Sequence, residues 1–129
     1  MDQLPADDRE LRRLEEAAGA EDARETGLDE ITSPAFVVRE HGQVIVAAGY
    51  RTWPCRTAHV SVLTASQVRG RGLARATGSA TVAHALAAGL LPQWRARRPA
   101  SRRVAAALGF AEPGAQLSIE LARYSRPRL

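Results

Sequence analysis

The sequence predicts a mixed α/β domain in which a central, mostly antiparallel sheet is joined by two crossover helices. Three observations predict it. Residues 31–64 hold three short runs of β-branched and apolar residues separated by turn signals. Residues 73–86 switch to apolar positions at helical spacing. A short apolar run, a second helical stretch and two closing runs follow, so the order strand, strand, strand, helix, strand, helix, strand calls for helices packed on a sheet. With 129 residues, 45% hydrophobic and 25% charged, the chain is sized for one core and is neither disordered nor fibrous in composition.

In chain order, Leu11, Leu14, Ala17 and Ala18 recur three and four residues apart within residues 7–20, which reads as an amphipathic helix. Its narrow apolar stripe suits a domain edge or a partner. Residues 21–30 are polar and read as a linker, so the expected division is an acidic helical segment over 1–30 and an α/β domain over 31–129. Ser33-Pro34 marks the boundary. Residues 35–39 and 43–50 form a hairpin about His41-Gly42, and a turn at 51–56 containing Trp53-Pro54 leads to a third strand at 58–64. A loop at 65–72 precedes the helix at 73–86, lined by Leu73, Ala76, Ala80, Ala83 and Leu86 and stopped by Gly89. A strand at 91–96 comes next. The second helix starts after Pro99, a residue suited to a first helical turn, and runs through Val104 and Leu108 to Gly109; strands at 110–112 and 115–121 and a basic tail at 123–129 complete the chain.

Charge divides the chain in two. Residues 1–30 carry eleven Asp and Glu against four Arg, a net −7, whereas residues 31–129 carry fourteen Arg against Glu40, Glu112 and Glu120, a net +11. There is no lysine. The single Cys55 excludes an internal disulfide and a cysteine-based zinc site, and no metal is expected. The opening MDQLPADDRE lacks the basic start and apolar run of a secretory signal, and no window is apolar enough to span a membrane, so a cytoplasmic protein with no membrane partner is expected.

The chemistry concentrates between residues 59 and 75. Gly70 and Gly72 sit between a strand and a helix, where they let the backbone adopt dihedrals closed to other residues and approach a ligand closely. Amides at the start of the next helix, with the positive end of its dipole, make an anion site there. Arg69, Arg71 and Arg75 surround it, and guanidinium groups grip phosphate oxygens in pairs. A glycine-containing turn with solvated arginines is the plain alternative. A Walker loop is excluded because it requires lysine, and a dinucleotide fingerprint because it needs three spaced glycines and a later acidic residue.

What remains is Gln67-x-x-Gly70-x-Gly72 between strand and helix. This resembles motif A of the GNAT acyltransferase superfamily. The stretch Leu91-Pro92-Gln93-Trp94, followed by residues 99–110 ending in Leu108-Gly109-Phe110, is similar to that family's next strand and helix. The resemblance covers residues 31–121 and implies acyl transfer by direct attack of a bound amine on an acetyl-CoA thioester. It further implies that the main chain of Val62, Leu63 and Thr64 pairs with the pantetheine arm. Gln67 belongs to the motif, Arg69, Gly70, Arg71, Gly72, Leu73 and Ala74 supply amides to the pyrophosphate, and Arg98, Ser101 and Arg102 meet the distal part of the cofactor. The thioester then lies in the wedge between residues 60–64 and 91–95.

The sequence departs from the family where many relatives carry Asn, here Arg98, and a Tyr acid, here Ala105. An alanine cannot protonate a thiolate. His59 and Ser61 alternate onto one strand face with Leu63, which makes His59 a candidate base, against a packed or hydrogen-bonded histidine. His41 is expected on a turn surface and His84 on a helix surface. Tyr50, Trp53 and Cys55 could flank the cleft, with packing the preferred role. The first function is therefore acetyl transfer to an amine of unknown identity, by a monomer or a homodimer. A relative that binds CoA without turnover, as sensor or partner subunit, is the alternative. A nucleic-acid-binding module built on Arg69, Arg71, Arg75, Arg95, Arg97, Arg98, Arg102 and Arg103 is weaker, because reading motifs and stacking aromatics are missing.

Overall fold

Apolar and β-branched side chains crowd residues 35–64, and there the chain forms the middle of a sheet that is seven-stranded among the described residues. The structure, a computed structural model, describes residues 1–68, 72–95, 106, 108–111 and 116–119. Strands β1 (Asp2–Leu4), β2 (Ala35–Glu40), β3 (Gln43–Trp53), β4 (Thr57–Thr64), β5 (Leu91–Arg95), β6 (Phe110–Ala111) and β7 (Gln116–Ile119) lie in the order β1-β2-β3-β4-β5-β7-β6. Helices α1 (Arg9–Ala18) and α2 (Ala20–Thr26) precede β2, and α3 (Leu73–Ala87) joins β4 to β5.

Every pair of neighbours is antiparallel except β4 and β5, which run parallel from Thr57 opposite Leu91 to Val60 opposite Trp94. Parallel neighbours need a long crossover, and α3 supplies it. The expected second crossover helix after Pro99 lies outside the described residues, apart from helical Ala106 and the turn at Leu108 and Gly109. β7 inserts between β5 and β6.

Alternation along β4 gives the sheet two covered faces. Leu63 joins Leu11, Leu14, Ala18, Leu28, Ala47 and Val37 in one core under α1 and α2, while Ala58 and Val60 join Tyr50, Val82, Ala85 and Trp94 in a second under α3. The N-terminal helix is thus no edge ornament: Leu11 and Leu14 are 0% and 1% exposed. Asp8 caps α1 by accepting from the Glu10 amide at 2.8 Å, and Glu10 pairs with Arg39 of β2 at 3.0 Å. Burial pushes the Glu15 carboxyl above the ordinary glutamate range, and Arg12, 2.9 Å away, pulls in the opposite direction.

Two expectations are corrected, and one strand is added. Residues 21–30 are not a linker but α2 and a 3-10 turn at Leu28–Glu30; a propensity reading misses this because α2 has no fully buried side chain and the segment is held by buried Leu28 and by Ser61 Oγ donating to the Thr26 carbonyl. Strand β1, pairing Asp2–Leu4 with Val37–Ala35, is too short and polar to show a period. The turn expected at 51–56 shrinks to residues 54–56, because Cys55 and Arg56 both take left-handed dihedrals (φ 68° and 58°) and let β3 and β4 pair out to Trp53 and Thr57.

Leu11→Ala removes a fully buried side chain that α1 contributes to the core, and should cost about 2–5 kcal/mol of unfolding free energy in urea denaturation. A loss under about 0.5 kcal/mol would mean that α1 is dispensable to the core.

Candidate active site

Among the described residues, β4 runs on beyond its last pair with β5. Pairing with β5 runs to Val60 and Trp94, whereas pairing with β3 continues to Thr64 opposite Val46. Ser61, Val62, Leu63 and Thr64 therefore have one strand neighbour among the described residues, and their main chain borders a wedge. Val62 and Thr64 are half-buried, and Leu63 is buried in the core, so any role it has toward a ligand belongs to its backbone.

After Thr64 the chain turns by a 3-10 segment at Ser66–Val68, anchored by buried Val68 and by the Ala65 amide donating to the Ile45 carbonyl at 2.9 Å. Gln67 is exposed there. Gly72 then stands in the left-handed region (φ 76°, ψ 6°), a conformation that side chains with a Cβ resist, and it starts α3. No side chain caps this helix, and its first turn contains no acidic residue. Its leading amides thus keep their donors for an anion. Beside them is a groove of about 500 Å³ lined by Gly72, Arg75, Ala76, Ser79 and Leu108. Small residues form its floor, and the Arg75 guanidinium supplies positive charge.

Of the residues expected at the cofactor, Val62, Leu63, Thr64, Gln67, Gly72, Leu73 and Ala74 are brought together from the end of β4 to the first turn of α3. Arg69, Gly70, Arg71, Arg98, Ser101 and Arg102 lie outside the described residues, as does Ala105. Arg75, Ala76 and Ser79 line the groove although only Arg75 stood out in the sequence; their spacing of three and four residues, with small side chains, was the available signal.

On the opposite face, His59 is paired in register with Gln93 of β5 and with Arg51 of β3, one residue before the parting. Its ring stacks on Trp53 at 5.2 Å and 29°, and the Arg51 guanidinium lies 4.4 Å from the Trp53 ring centre. Trp53 is 42% exposed, so it is not packed away as expected. Cys55 is an exposed thiol in the neighbouring turn. His41 is exposed in its turn.

His84 is a correction. It is not on a bare helix surface: its Nδ1 meets the Tyr50 hydroxyl at 2.9 Å, and its ring packs 5.6 Å from both Phe36 and Tyr50. Tyr50, opposite Val60 of β4, is buried on the α3 face, and burial pushes its hydroxyl above the ordinary tyrosine range. Among the described residues no group of three or more His, Cys, Asp or Glu is placed to hold a metal, and no helix is long and apolar enough to cross a membrane.

A profile of the GNAT acetyltransferase family matches residues 33–115, well over half of the chain. The chain belongs to the GNAT acetyltransferase family. The match begins just before β2 and includes β4, the wedge and α3. Among solved structures, a GNAT family acetyltransferase from Brucella melitensis in complex with acetyl-CoA is similar at 17% identity and a TM-score of 0.67, over 94% of this chain and 86% of that one. An IAA acetyltransferase from Bacillus cereus is similar at 15% identity and a TM-score of 0.71, over 93% and 97%. The putative acetyltransferase yncA from Salmonella typhimurium, with acetyl-CoA, is similar at 22% identity and a TM-score of 0.59, over 76% and 65%. These likenesses speak to the fold. Among curated proteins no sequence match is found.

Tyr50→Phe tests the buried pair. It should lower stability by about 1 kcal/mol near neutral pH, through loss of the bond to His84. Because the folded state holds the tyrosine neutral, that part of stability is fully present below pH about 10 and is lost as pH rises through the folded-state value. Denaturation followed from pH 7 to 11 should show an alkaline decline that Tyr50→Phe reduces; an unaltered decline would assign it to other groups.

Proposed function

We propose that this chain is an acetyl-CoA-dependent N-acetyltransferase that acts on a primary amine. The observation that carries the reading is the main chain of Val62, Leu63 and Thr64, whose strand neighbour among the described residues is β3 alone, immediately upstream of a helix N-terminus without a side-chain cap and a groove flanked by arginine. An extended arm can add to the exposed main chain of Val62, Leu63 and Thr64 much as a strand adds to a sheet edge. A diphosphate at its end then meets the amides following Gly72, and an adenosine-bearing segment continues into the groove beside Arg75, Ala76 and Ser79. The solved relatives from Brucella and Salmonella that hold acetyl-CoA support this cofactor. Arg69, Gly70, Arg71, Arg98, Ser101 and Arg102 complete the proposed contact set on the strength of the sequence motif.

In this reading the thioester lies in the wedge and His59 is on the acceptor side. The amine nitrogen attacks the carbonyl carbon, the C–S bond breaks, and the CoA thiolate leaves. Most of the acceleration comes from holding the two reactants together, since a well-oriented attack gains about 7–11 kcal/mol over a free encounter. His59 takes the amine proton directly or through water; its stacking on Trp53 fixes the plane of the imidazole. With alanine at position 105, the thiolate draws its proton from water.

Acetyl-CoA at about a hundred-fold excess over its Kd should stabilise the protein by about 2.7 kcal/mol, a rise of several degrees in Tm. Ala76 is exposed in the groove, so Ala76→Glu should leave unliganded stability within about 0.5 kcal/mol while weakening acetyl-CoA binding at least ten-fold by placing a carboxylate against the polyanion. Melting curves with and without millimolar acetyl-CoA read both. No rise for the wild-type chain would sink the reading; a rise without thiol release in the presence of amines would favour a CoA-binding protein without turnover.

A further inference from the structure

The buried face of α3 holds two hydroxyls. Its inward residues are Thr77, Gly78, Thr81, Val82 and Ala85, and both threonines are 0% exposed. A buried hydroxyl needs a partner, and each threonine finds one in its own helix. Thr77 Oγ1 donates to the Leu73 carbonyl at 3.1 Å and to the Ala74 carbonyl at 3.2 Å, sharing its one proton between them. Thr81 Oγ1 donates to the Thr77 carbonyl at 2.9 Å. Such bonds are an ordinary way to bury a threonine in a helix, so the two are set apart only by where the bonds fall.

Those of Thr77 fall in the first turn. Helix α3 begins at Leu73, and the amides of Leu73, Ala74 and Arg75 therefore have no acceptor within the helix. Each carbonyl that Thr77 grips belongs to a peptide unit whose other end is one of these amides. The Leu73 carbonyl shares its plane with the Ala74 N–H, and the Ala74 carbonyl with the Arg75 N–H. A donor on the carbonyl draws electron density toward oxygen and leaves the N–H of the same unit a stronger donor. It also holds the tilt of the unit, since the hydroxyl is carried by a fully buried, β-branched side chain. The Thr81 bond does neither for a ligand. The Thr77 carbonyl shares its plane with the Gly78 N–H, which points to the Ala74 carbonyl inside the helix.

We infer that Thr77 is a positioning residue for the cofactor: its hydroxyl orients and polarises the Ala74 and Arg75 amides that receive the diphosphate. The inference rests on the transferase reading above, which puts the diphosphate at these amides. Thr77 acts only through the backbone, being buried beneath the turn, whereas Arg75 and Ala76 are exposed and line the groove. Loss of its hydroxyl leaves no carbonyl unsatisfied, because those of Leu73 and Ala74 keep the helical amides of Thr77 and Gly78. Affinity and stability therefore separate: removing the hydroxyl weakens cofactor binding and spares the fold.

Val has the shape of Thr without the hydroxyl and nearly the same helix preference, so Thr77→Val isolates the bond. Thr77→Ala removes the hydroxyl without adding a methyl and decides the matter should Thr77→Val not fold. Thr77→Ser keeps the hydroxyl, and Thr81→Val removes an equally buried one in the next turn. Affinity is measured by calorimetry, stability of the unliganded chain by melting, and the Ala74 and Arg75 amides by proton–nitrogen NMR. Thr77→Val and Thr77→Ala should each raise the acetyl-CoA Kd roughly three- to ten-fold. The same factor should appear with dephospho-CoA, which keeps the diphosphate and lacks the ribose phosphate. Thr77→Val should hold Tm within about 2 °C of wild type and shift the Ala74 and Arg75 amide protons upfield. Thr77→Ser and Thr81→Val should bind acetyl-CoA within about two-fold of wild type. An unmoved Kd in whichever of Thr77→Val and Thr77→Ala folds, an equal loss in Thr77→Ser or Thr81→Val, or a loss absent with dephospho-CoA overturns the inference and leaves cofactor binding standing. A wild-type chain that binds neither acetyl-CoA nor dephospho-CoA removes the transferase reading itself.

Discussion

Strand β4 is asked to satisfy two neighbours that diverge, and the rest of the site depends on how it does so. Its pairing with β3 is a continuous antiparallel ladder over all eight residues of the strand, whereas among the described residues its parallel pairing with β5 has four pairs. An unpaired main chain in the middle of a sheet is costly unless water or a ligand meets its amides and carbonyls. The protein keeps such a stretch rigid by anchoring it on every other side. The β3 ladder fixes its backbone, Leu63 pins it to one core, Val60 to the other, and the Ala65 amide ties its exit to Ile45. A sheet edge of this kind is preorganised for an extended partner because folding has already fixed its dihedral angles.

The two faces of the sheet then divide the labour. Helix α3 crosses one face from the wedge back to the start of β5, which delivers its uncapped N-terminus to the open end of β4 and its apolar side to Val60 and Trp94. Gly78 allows this close packing: a Cβ there would sit 3.0 Å from Leu108 and 3.4 Å from Trp94. The other face is covered by α1 and α2, whose helical order owes little to local preference in the case of α2. Seven residues form a marginal helix in water. Here the helix is held by its ends, through Gly27 and Leu28 in its closing turn and through Ser61 from the sheet.

That contrast explains what could be read from the sequence. The three central strands and α3 were legible because each carries a strong local signal, alternation of β-branched residues or an alanine-rich helical stretch, although α3 buries Thr77, Gly78, Thr81, Val82 and Ala85 and leaves Ala76 and Ala83 exposed. Gly72 was legible for the reason that makes it necessary, a left-handed φ at the start of a helix. Helix α2 was not, since its order comes from a serine thirty-five residues away in the chain. The Tyr50–His84 pair was not for the same reason: neither residue has a local signature, and an alternating strand brings Tyr50 under the last turn of α3 only once the parallel crossover is formed. The groove residues Ala76 and Ser79 were read as helix, and their smallness acquires meaning only beside Leu108.

The charge division of the chain follows the same geometry. The acidic residues of the first thirty sit on or around α1 and α2, which cover one face of the sheet, while α3 on the other carries no acidic side chain and presents Arg75. A few of the carboxylates are tied to the sheet, Glu10 by Arg39 and Glu30 by Arg51 at 3.6 Å, but exposed pairs of this kind contribute little to stability. Their larger effect is on the field outside the molecule, to which the net −7 of residues 1–30 adds a negative contribution. Under the transferase reading this sorting suits the reactants, because the cofactor is a polyanion and a primary amine is a cation at neutral pH. It also fixes what the site must do next. An amine drawn in as an ammonium ion is not nucleophilic, so in the proposed reaction it must shed a proton before attack, and the proposed base is His59, whose ring is stacked on Trp53.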